Sequence, residues 1–186
     1  MYIFIFKDFI SGPTAKILSH ELLMQSVFSY CMENELRISD YDFTVIQDRG
    51  KKPYFKDSDI KFNISHSENF WVCVIGKEEA GIDVQAIKDS DYEKLSERYF
   101  TDNEKKFVKE NKREGFFSIW TRKEAYCKFY GKSIFNSIKT TDTVSEGELV
   151  EEIDNISFTD IDIADSVKCT VALSGKGVNL CLRGIG

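Results

Sequence analysis

The chain has 186 residues, of which 42% are hydrophobic and 13% aromatic, and its formal net charge is −6. A chain of this length and hydrophobicity is expected to bury the core of one domain or of two small halves, which excludes disorder as a description of the whole. The acidic balance argues against a general nucleic-acid-binding surface, which is basic, but it leaves room for a local basic pocket that binds a small anion.

Cysteine and histidine usage indicates a reducing compartment and no zinc site. The five cysteines form no C-x-x-C pair, and the two histidines, His20 and His66, do not cluster with them at ligand spacing. The amino-terminal apolar run has no basic region before it, and no stretch reaches the ~20 apolar residues of a membrane span. We therefore expect a soluble, cytoplasmic protein that binds neither nucleic acid nor membrane.

The first half of the chain predicts a long helix among several strands. Residues 1–6 predict an opening strand, and Ser11-Gly12-Pro13 opens a helix whose apolar stripe is formed by Leu18, Leu22, Leu23, Val27 and Cys31. Further strands are predicted at residues 43–47, 62–66, 70–75 and 80–84, with a loop at 48–53. The last two strands flank a Gly-Lys turn and are expected to form a hairpin.

The second half predicts three helices followed by strands. Two capping boxes, Ser90–Glu93 and Thr101–Glu104, mark helix starts, so we expect helices at 91–99, 102–113 and 116–130, the last ended by Gly131. Strands are predicted at 157–163, 167–173 and 178–183. A second Gly-Lys turn at 175–176 echoes the first. The echo is explained equally well by two similar α+β halves, 1–86 and 87–186, and by two ordinary hairpins. No linker divides the chain, so one compact unit is expected.

Asp83 and Gln85 lie two residues apart on a predicted strand and therefore point to the same face. Their neighbours are apolar, and a carboxylate buried among apolar side chains needs a partner. Taken alone, Asp83 is better explained as a turn or edge-strand residue in water.

The helix at 116–130 supplies a second carboxylate. Phe116, Trp120, Glu124 and Cys127 follow one helical stripe, so Glu124 falls at a core position, and Lys128 lies one turn beyond it. The ordinary alternative is an exposed i,i+4 pair worth ~0.2–0.5 kcal/mol. An aspartate on a strand facing a glutamate on a helix is a set that holds magnesium, which binds through one or two carboxylates and substrate phosphates.

A third group of residues offers contacts to phosphate. Lys51-Lys52-Pro53 precedes a predicted strand that ends in Ser65-His66-Ser67, and charge-assisted bonds to phosphate are roughly twice as strong as neutral ones. His66 is open to two other interpretations, a general base and a structural histidine. No Gly-x-Ser-x-Gly elbow supports a hydrolase triad, and Gly131-Lys132-Ser133 lacks the upstream glycine of a P-loop.

Taken in order, these motifs resemble the 4'-phosphopantetheinyl transferases of the surfactin-synthetase-activating type. The resemblance covers residues 50–135 and is highly specific as an ordered set. The matching segments are Lys52-Pro53, Phe62-Asn63-Ile64-Ser65-His66-Ser67, Gly81-Ile82-Asp83-Val84, Arg98-Tyr99-Phe100 and Trp120-x-x-Lys123-Glu124-Ala125 with the following Lys128.

The resemblance implies a pseudo-twofold α+β fold of two similar halves, with coenzyme A bound in the cleft between them. Lys52, Ser65 and His66 would contact the adenosine 3'-phosphate region of coenzyme A. The implied product is an acyl or peptidyl carrier protein that bears the phosphopantetheine arm, in fatty-acid or secondary-metabolite biosynthesis. Two halves in one chain imply a complete site in a monomer.

The resemblance also implies the roles of the acidic pair. Asp83 and Glu124 would bind magnesium with the pyrophosphate, and Glu124 would act, directly or through water, as the base for the serine of the carrier. Lys128 would stabilise the pyrophosphate charge and the departing 3',5'-ADP. Phosphoryl transfer needs such positioning and charge neutralisation more than covalent participation.

Three positions depart from the family pattern. Gln85 stands where many members carry glutamate, so its amide oxygen ligates the metal or a water replaces it. The stretched Gly50-Lys51-Lys52-Pro53 leaves open which lysine contacts phosphate, and His20 stands where members often have arginine. Gln85 also motivates a second hypothesis, a non-catalytic module that binds coenzyme A or a carrier protein. A magnesium-dependent phosphohydrolase fits the carboxylates but not the Lys-Pro and Ser-His-Ser segments.

Overall fold

The computed structural model describes residues 1–132, 141–174 and 181–184, and in these ranges it contains three α-helices and twelve strands. The helices are α1 (Ala15–Glu33), α2 (Tyr92–Tyr99) and α3 (Asp102–Phe129), and Ile38–Asp40 forms a short 3₁₀ turn. The strands are β1 (Tyr2–Phe6), β2 (Val45–Ile46), β3 (Tyr54–Phe55), β4 (Lys61–Ser67), β5 (Phe70–Gly76), β6 (Ala80–Ala86), β7 (Val144–Ser145), β8 (Glu148–Leu149), β9 (Glu152–Ile153), β10 (Ile156–Asp160), β11 (Val167–Ser174) and β12 (Cys181–Gly184). This mixture confirms the predicted α+β class.

Two four-stranded sheets organise the strands. The first has the order β12-β1-β5-β4, with β1 parallel to β12 and antiparallel to β5. The second has the order β6-β11-β10-β9 and is antiparallel throughout. Two short pairs, β2–β3 and β7–β8, lie outside these sheets. Residues 178–180 of the predicted last strand and the second Gly-Lys turn lie outside the described residues.

The layers follow from the alternating faces of β5, every residue of which is buried. One face of β5 packs against α1, whose predicted apolar stripe is confirmed by the buried Leu22, Leu23, Val27 and Cys31. The other face packs against the second sheet. On the far side of that sheet, α3 packs through Ala125 and Tyr126. Each sheet is thus covered by one long helix, and a strand buried on both faces needs the uninterrupted apolar run that β5 has.

The predicted hairpin of residues 70–75 with 80–84 is wrong. Both edges of β5 are occupied, by β1 on one side and β4 on the other, so β6 crosses over and pairs with β11. The hairpin of this region is formed by β4 and β5 instead, with Ser67 opposite Phe70. The strand β6 therefore belongs to the second sheet. The division of the chain into two halves at residue 86 stays a prediction.

The helix boundaries test the two capping boxes. At Thr101 the box is formed, since the Glu104 backbone donates to the threonine hydroxyl and the Glu104 carboxylate accepts from the Thr101 backbone. At the start of α2 it is not, because the cap residue is Asp91 rather than Ser90, and its carboxylate pairs with Lys94. The second predicted box is confirmed and the first is wrong.

The two helices predicted at 102–113 and 116–130 are confirmed as two helical segments that follow each other directly within α3 and are broken at Lys112. The backbone there has φ 54° and ψ −140°, far from helical values. The helix ends as predicted at Gly131, which has φ 62°, and the backbone nitrogen of Lys132 donates to the Cys127 oxygen at 2.9 Å. Within the described ranges, no helix has the length and apolar character needed to cross a lipid bilayer.

Candidate active site

Three elements bring the predicted chemistry together in one cavity of about 290 Å³. The strand β4 contributes Ser65 and His66, and β6 contributes Asp83 and Gln85. The carboxyl-terminal half of α3 contributes Glu124 and Lys128, one turn apart. The lining of the cavity is Ile64, Ser65, His66, Asp83, Gln85, Glu124 and Lys128. The structure therefore juxtaposes an aspartate and a glutamate that lie far apart in the chain.

Asp83 is almost completely buried, and its charge is compensated by Lys128. The lysine ammonium donates to Asp83 Oδ1 at 2.6 Å, and the Ser65 hydroxyl donates to the same oxygen at 2.7 Å. The ammonium also donates to Ser65 Oγ at 2.9 Å. Such a buried carboxylate needs partners of this kind, so the strand position that looked isolated in the sequence is fully paired.

Glu124 is half-buried and differs from Asp83 in its partners. Burial raises its pKa, the nearby Asp83 charge raises it further, and Lys128 opposes them, which leaves a pKa of about 7. Among the residues that the structure describes, none donates a hydrogen bond to this carboxylate. Its lone pairs are therefore available to an external donor or cation, and its protonation changes near neutral pH.

The donor set fits magnesium better than a transition metal. The described residues contain no group of three or more histidine, cysteine, aspartate or glutamate side chains that could hold a metal. Magnesium needs only one or two carboxylates, because waters and substrate phosphates complete its shell. The side-chain N–H of Gln85 donates to Asp83 Oδ2 at 3.2 Å, which places the amide beside the Asp83 carboxylate. Ligation by Gln85 stays a prediction.

A second cavity of about 300 Å³ adjoins the first at Lys128 and is rich in lysine. It is lined by Gly50, Lys51, Lys52, Pro53, Asn63, Ile64, Lys128, Gly131 and Lys132. The Lys52 ammonium donates to Glu79 at 3.0 Å and to the Ala80 carbonyl at 2.7 Å, and burial lowers its pKa. Lys51 pairs with Asp48 at 3.3 Å on the surface. Both lysines therefore lie beside this cavity, and neither contacts Asp83.

His66 lies between the first cavity and a groove of about 700 Å³ along α1. His20 and Lys16 line the same groove from α1. The His66 ring packs on Phe9 with 4.9 Å between ring centroids. Partial burial lowers the pKa of His66, and the charge of Lys128 lowers it further. Both effects favour the neutral imidazole, which carries one N–H donor.

The sequence reading missed the buried ion pair that anchors α3. Lys123 and Glu104 lie 2.9 Å apart with side chains that are 1% and 0% exposed. Glu104 also accepts from the backbone and hydroxyl of Thr143, and Lys123 donates to the Thr141 carbonyl. The sequence signal for this pair was the capping-box glutamate, Glu104. A carboxylate that caps a helix and is also buried needs a cation to compensate its charge. Both residues belong to α3, on opposite sides of the break at Lys112, so the pair joins the amino-terminal segment to the segment that presents Glu124.

Gly81 was also missed as a packing contact. A Cβ at this position would overlap the backbone oxygen of Ala125 and lie 2.5 Å from the backbone nitrogen of Phe129. The backbone of α3 therefore lies directly against β6, which is possible only for glycine. This contact brings the turn that carries Lys128 next to Asp83.

The sequence of the chain matches a known protein family. Residues 79–172 match the model of the 4'-phosphopantetheinyl transferase superfamily. The matched segment is half of the chain and includes Asp83, Gln85, Glu124 and Lys128.

Curated relatives carry the same family name. The chain is 38% identical over 90 residues to 4'-phosphopantetheinyl transferase gsp of Aneurinibacillus migulanus, covering 46% of this chain and 38% of that protein. It is 31% identical over 131 residues to HetI of Nostoc sp., covering 66% and 55%, and 31% identical over 124 residues to Sfp of Bacillus subtilis, covering 64% and 53%. The matches thus span 38–55% of the length of these relatives. The chain belongs to the 4'-phosphopantetheinyl transferase superfamily, and its relatives include transferases of the type that its motifs predicted.

Proposed function

We propose that the chain transfers the 4'-phosphopantetheine arm of coenzyme A to a serine of an apo acyl or peptidyl carrier protein, with magnesium and with release of 3',5'-ADP. The observation that carries the proposal is the convergence of Asp83, Glu124 and Lys128 on one cavity in a member of this superfamily. The relatives are named for the same transfer.

Asp83 and Glu124 would hold magnesium, with Gln85 or a water beside them. When bound, the ion supplies Lewis-acid polarisation of the phosphoryl oxygens. The pKa of about 7 at Glu124 supports this role. Burial and the charge of Asp83 oppose ionisation of Glu124, and a bound cation would favour the ionised carboxylate.

Glu124 is the base in this proposal. A serine hydroxyl is a weak nucleophile until a neighbouring group accepts its proton, and a base works best when its pKa lies near the working pH. Without bound magnesium, Glu124 has a pKa of about 7, and its carboxylate has no hydrogen-bond donor among the described residues. The proton of the carrier serine would therefore pass to Glu124, directly or through a water.

The basic residues around the cavity would hold the phosphates. Lys128 lines both the carboxylate cavity and the lysine-rich cavity, so its ammonium can face the pyrophosphate and the departing 3',5'-ADP. We place the adenosine 3'-phosphate near Lys51, Lys52 and the imidazole of His66. Lys52 contacts the phosphate only if it exchanges its bond to Glu79.

Incubation with coenzyme A, magnesium and a panel of apo carrier proteins tests the proposal. Intact mass spectrometry should show one carrier gaining a phosphopantetheine arm on its serine. The panel takes fatty-acid, polyketide and peptide-synthetase carriers and thereby identifies the partner. Tight binding of coenzyme A in calorimetry without transfer to any carrier would favour the non-catalytic module that Gln85 suggests. We expect a monomer in the cytoplasm, and light scattering tests the oligomeric state.

A further inference from the structure

We propose that Lys132 is a phosphate-binding residue, which contacts a phosphate group of coenzyme A in the lysine-rich cavity. The inference rests on the proposed function and adds a residue to which the sequence motifs give no role. Its basis is the place of Lys132 just beyond the end of α3, where the chain turns against the loop that carries Lys51 and Lys52.

The backbone of Lys132 is fixed by the end of α3. Gly131 has φ 62°, a conformation that commonly ends helices, and its backbone nitrogen donates to the Lys128 carbonyl at 3.2 Å. The backbone nitrogen of Lys132 donates to the Cys127 carbonyl at 2.9 Å. These two bonds satisfy carbonyls of the last helical turn, so the backbone sets where residue 132 lies relative to the helix.

The same turn lies against the loop of residues 50–53. A Cβ at Gly131 would lie 3.4 Å from the Lys52 Cβ and 3.8 Å from the Lys52 backbone nitrogen, so the two segments approach each other closely. Both segments line the lysine-rich cavity of about 300 Å³, the loop through Lys51 and Lys52 and the turn through Gly131 and Lys132. Residues far apart in the chain thus bring positive charge to one cavity.

The charge and size of this cavity suit a phosphate group. Four of the nine described residues that line it are lysines, and none of the nine is an aspartate or a glutamate. Its volume is about ten times the ~30 Å³ that one water occupies in the liquid, so a phosphate group fits. The cavity lies at the carboxyl-terminal end of α3, where the helix dipole disfavours an anion. A phosphate bound there therefore needs cations at the helix end, and Lys128 and Lys132 are placed to supply them.

Lys132 differs from the lysines of the loop in its partners. Lys51 and Lys52 each pair with a carboxylate, so each exchanges an ion pair when it binds another anion. In the part of the chain that the structure describes, no carboxylate pairs with Lys132, and its ammonium lies 5.0 Å from the centroid of the Tyr130 ring. The ring covers one side of the ammonium and leaves N–H donors for an anion. Lys132 can therefore bind a phosphate without breaking an ion pair.

Calorimetric titration with coenzyme A and magnesium tests the inference on wild type, Lys132→Met, Lys132→Arg and Lys106→Met. Lys132→Met should weaken binding about 5- to 20-fold, because it removes a charge-assisted bond to phosphate. Lys132→Arg keeps the charge and should stay within about threefold of wild type. Lys106→Met is the matched control, since it removes the same charge from an exposed position of α3 outside both cavities, and it should change Kd by less than about twofold.

Titration with 3'-dephospho-coenzyme A identifies which phosphate Lys132 contacts. If the difference between Lys132→Met and wild type disappears with this ligand, the contact is to the adenosine 3'-phosphate. If the difference stays, the contact is to the pyrophosphate. Both results support the inference, because the lysine-rich cavity is lined by Lys51 and Lys52 as well as by Lys128.

The salt dependence of binding separates a phosphate contact from a structural role at the helix end. Salt screens a contact between exposed charges, so the ratio of the two Kd values, Lys132→Met over wild type, should fall as the ionic strength rises from about 0.05 to about 0.5 M. A ratio that does not depend on salt overturns the inference. Equal affinity of Lys132→Met and wild type at low salt, or an equal loss in Lys106→Met, also overturns it.

These titrations are independent of turnover, so the inference and the proposed function fail in different ways. If wild type binds coenzyme A but modifies no carrier protein, the proposed transfer fails, and the titrations still decide the role of Lys132. If wild type does not bind coenzyme A, the inference is overturned as well.

Discussion

Glu124 is the residue whose environment departs most from its ordinary chemistry among the groups that line the carboxylate cavity. Its pKa rises from 4.5 to about 7 because burial and the Asp83 charge oppose ionisation. Between these two values the folded chain binds one proton more than the unfolded chain. The stability of the fold therefore falls as the pH rises from 4.5 through 7. A site that is strained in this way is expected where function, rather than folding, requires the residue.

Glu124→Gln should therefore stabilise the protein at pH 8, on the order of 1 kcal/mol once partial exposure of the side chain is taken into account. At pH 3.5, below the unfolded-state pKa of 4.5, the two proteins should be nearly equally stable, because the glutamate is then largely protonated in both states. Urea unfolding at the two pH values measures the difference. Equal stability of variant and wild type at pH 8 would show that the carboxylate is not destabilised by its surroundings.

Magnesium should lower the pKa of Glu124. In the metal-free chain, the ¹³C signal of the Glu124 carboxyl should titrate with a midpoint near pH 7, and added magnesium with coenzyme A should move the midpoint to lower pH, since a cation favours the ionised form. Calcium-free buffer and a Glu124→Gln spectrum serve as controls. A midpoint that magnesium leaves unchanged would remove Glu124 from the proposed metal ligands.

At the scale of elements, the position of α3 decides the geometry of the site. Its carboxyl-terminal segment is held against β6 by close backbone contact at Gly81. The Lys123–Glu104 pair joins that segment to the amino-terminal segment of α3, and Glu104 also binds Thr143. Neither contact touches the proposed substrates. Both set where Glu124 lies, so we expect them to influence activity through the helix.

Gly81→Ala should destabilise the fold by about 1–3 kcal/mol, because the added methyl group overlaps the backbone of α3 and one of the two elements must shift. Transfer activity should fall with it. Gly184→Ala is the matched control, since a Cβ there meets nothing within 4 Å and the strand conformation suits alanine. Urea unfolding and transfer rates measure both variants. Wild-type stability in Gly81→Ala would contradict the close contact.

Lys123→Met should cost about 3–5 kcal/mol, because it leaves Glu104 as an unpaired charge in the interior. The double variant Lys123→Met with Glu104→Gln should recover part of the loss. Asp91→Ala, which breaks the exposed pair with Lys94, should leave the free energy of unfolding nearly unchanged. Thermal or urea unfolding gives all three values. A Lys123→Met protein as stable as Asp91→Ala would show that the buried pair contributes nothing.

Local patterns predicted the elements well and their partners poorly. The apolar stripe of α1, the capping box at Thr101 and the glycine stop at Gly131 depend on neighbours within one or two turns, and all three are confirmed. The strand β6 was also recognised, but its partner was not. Whether it pairs with β5 or with β11 depends on which edges are already occupied, and a linear sequence does not contain that information.

At the scale of the whole molecule, the same limit applies to the site. Residue types and spacing, together with the ordered motifs of the family, selected Asp83, Glu124 and Lys128, and the structure brings them into one cavity. The hydrogen bond from Ser65 to Asp83 and the bond from Lys52 to Glu79 were not predictable, because each depends on how the two sheets meet. A hydrogen-bond donor can be listed from sequence, but its use depends on the acceptor that folding places beside it.

Intact-mass measurement of an apo carrier protein, after incubation with the chain, coenzyme A and magnesium, tests most directly whether Asp83, Glu124 and Lys128 form a transfer site. We predict that the serine of one carrier gains a single phosphopantetheine arm, that chelation of magnesium abolishes the gain, and that Glu124→Ala slows it by about 100-fold or more. No gain on any carrier of the panel, or transfer by Glu124→Ala at the wild-type rate, would contradict this prediction.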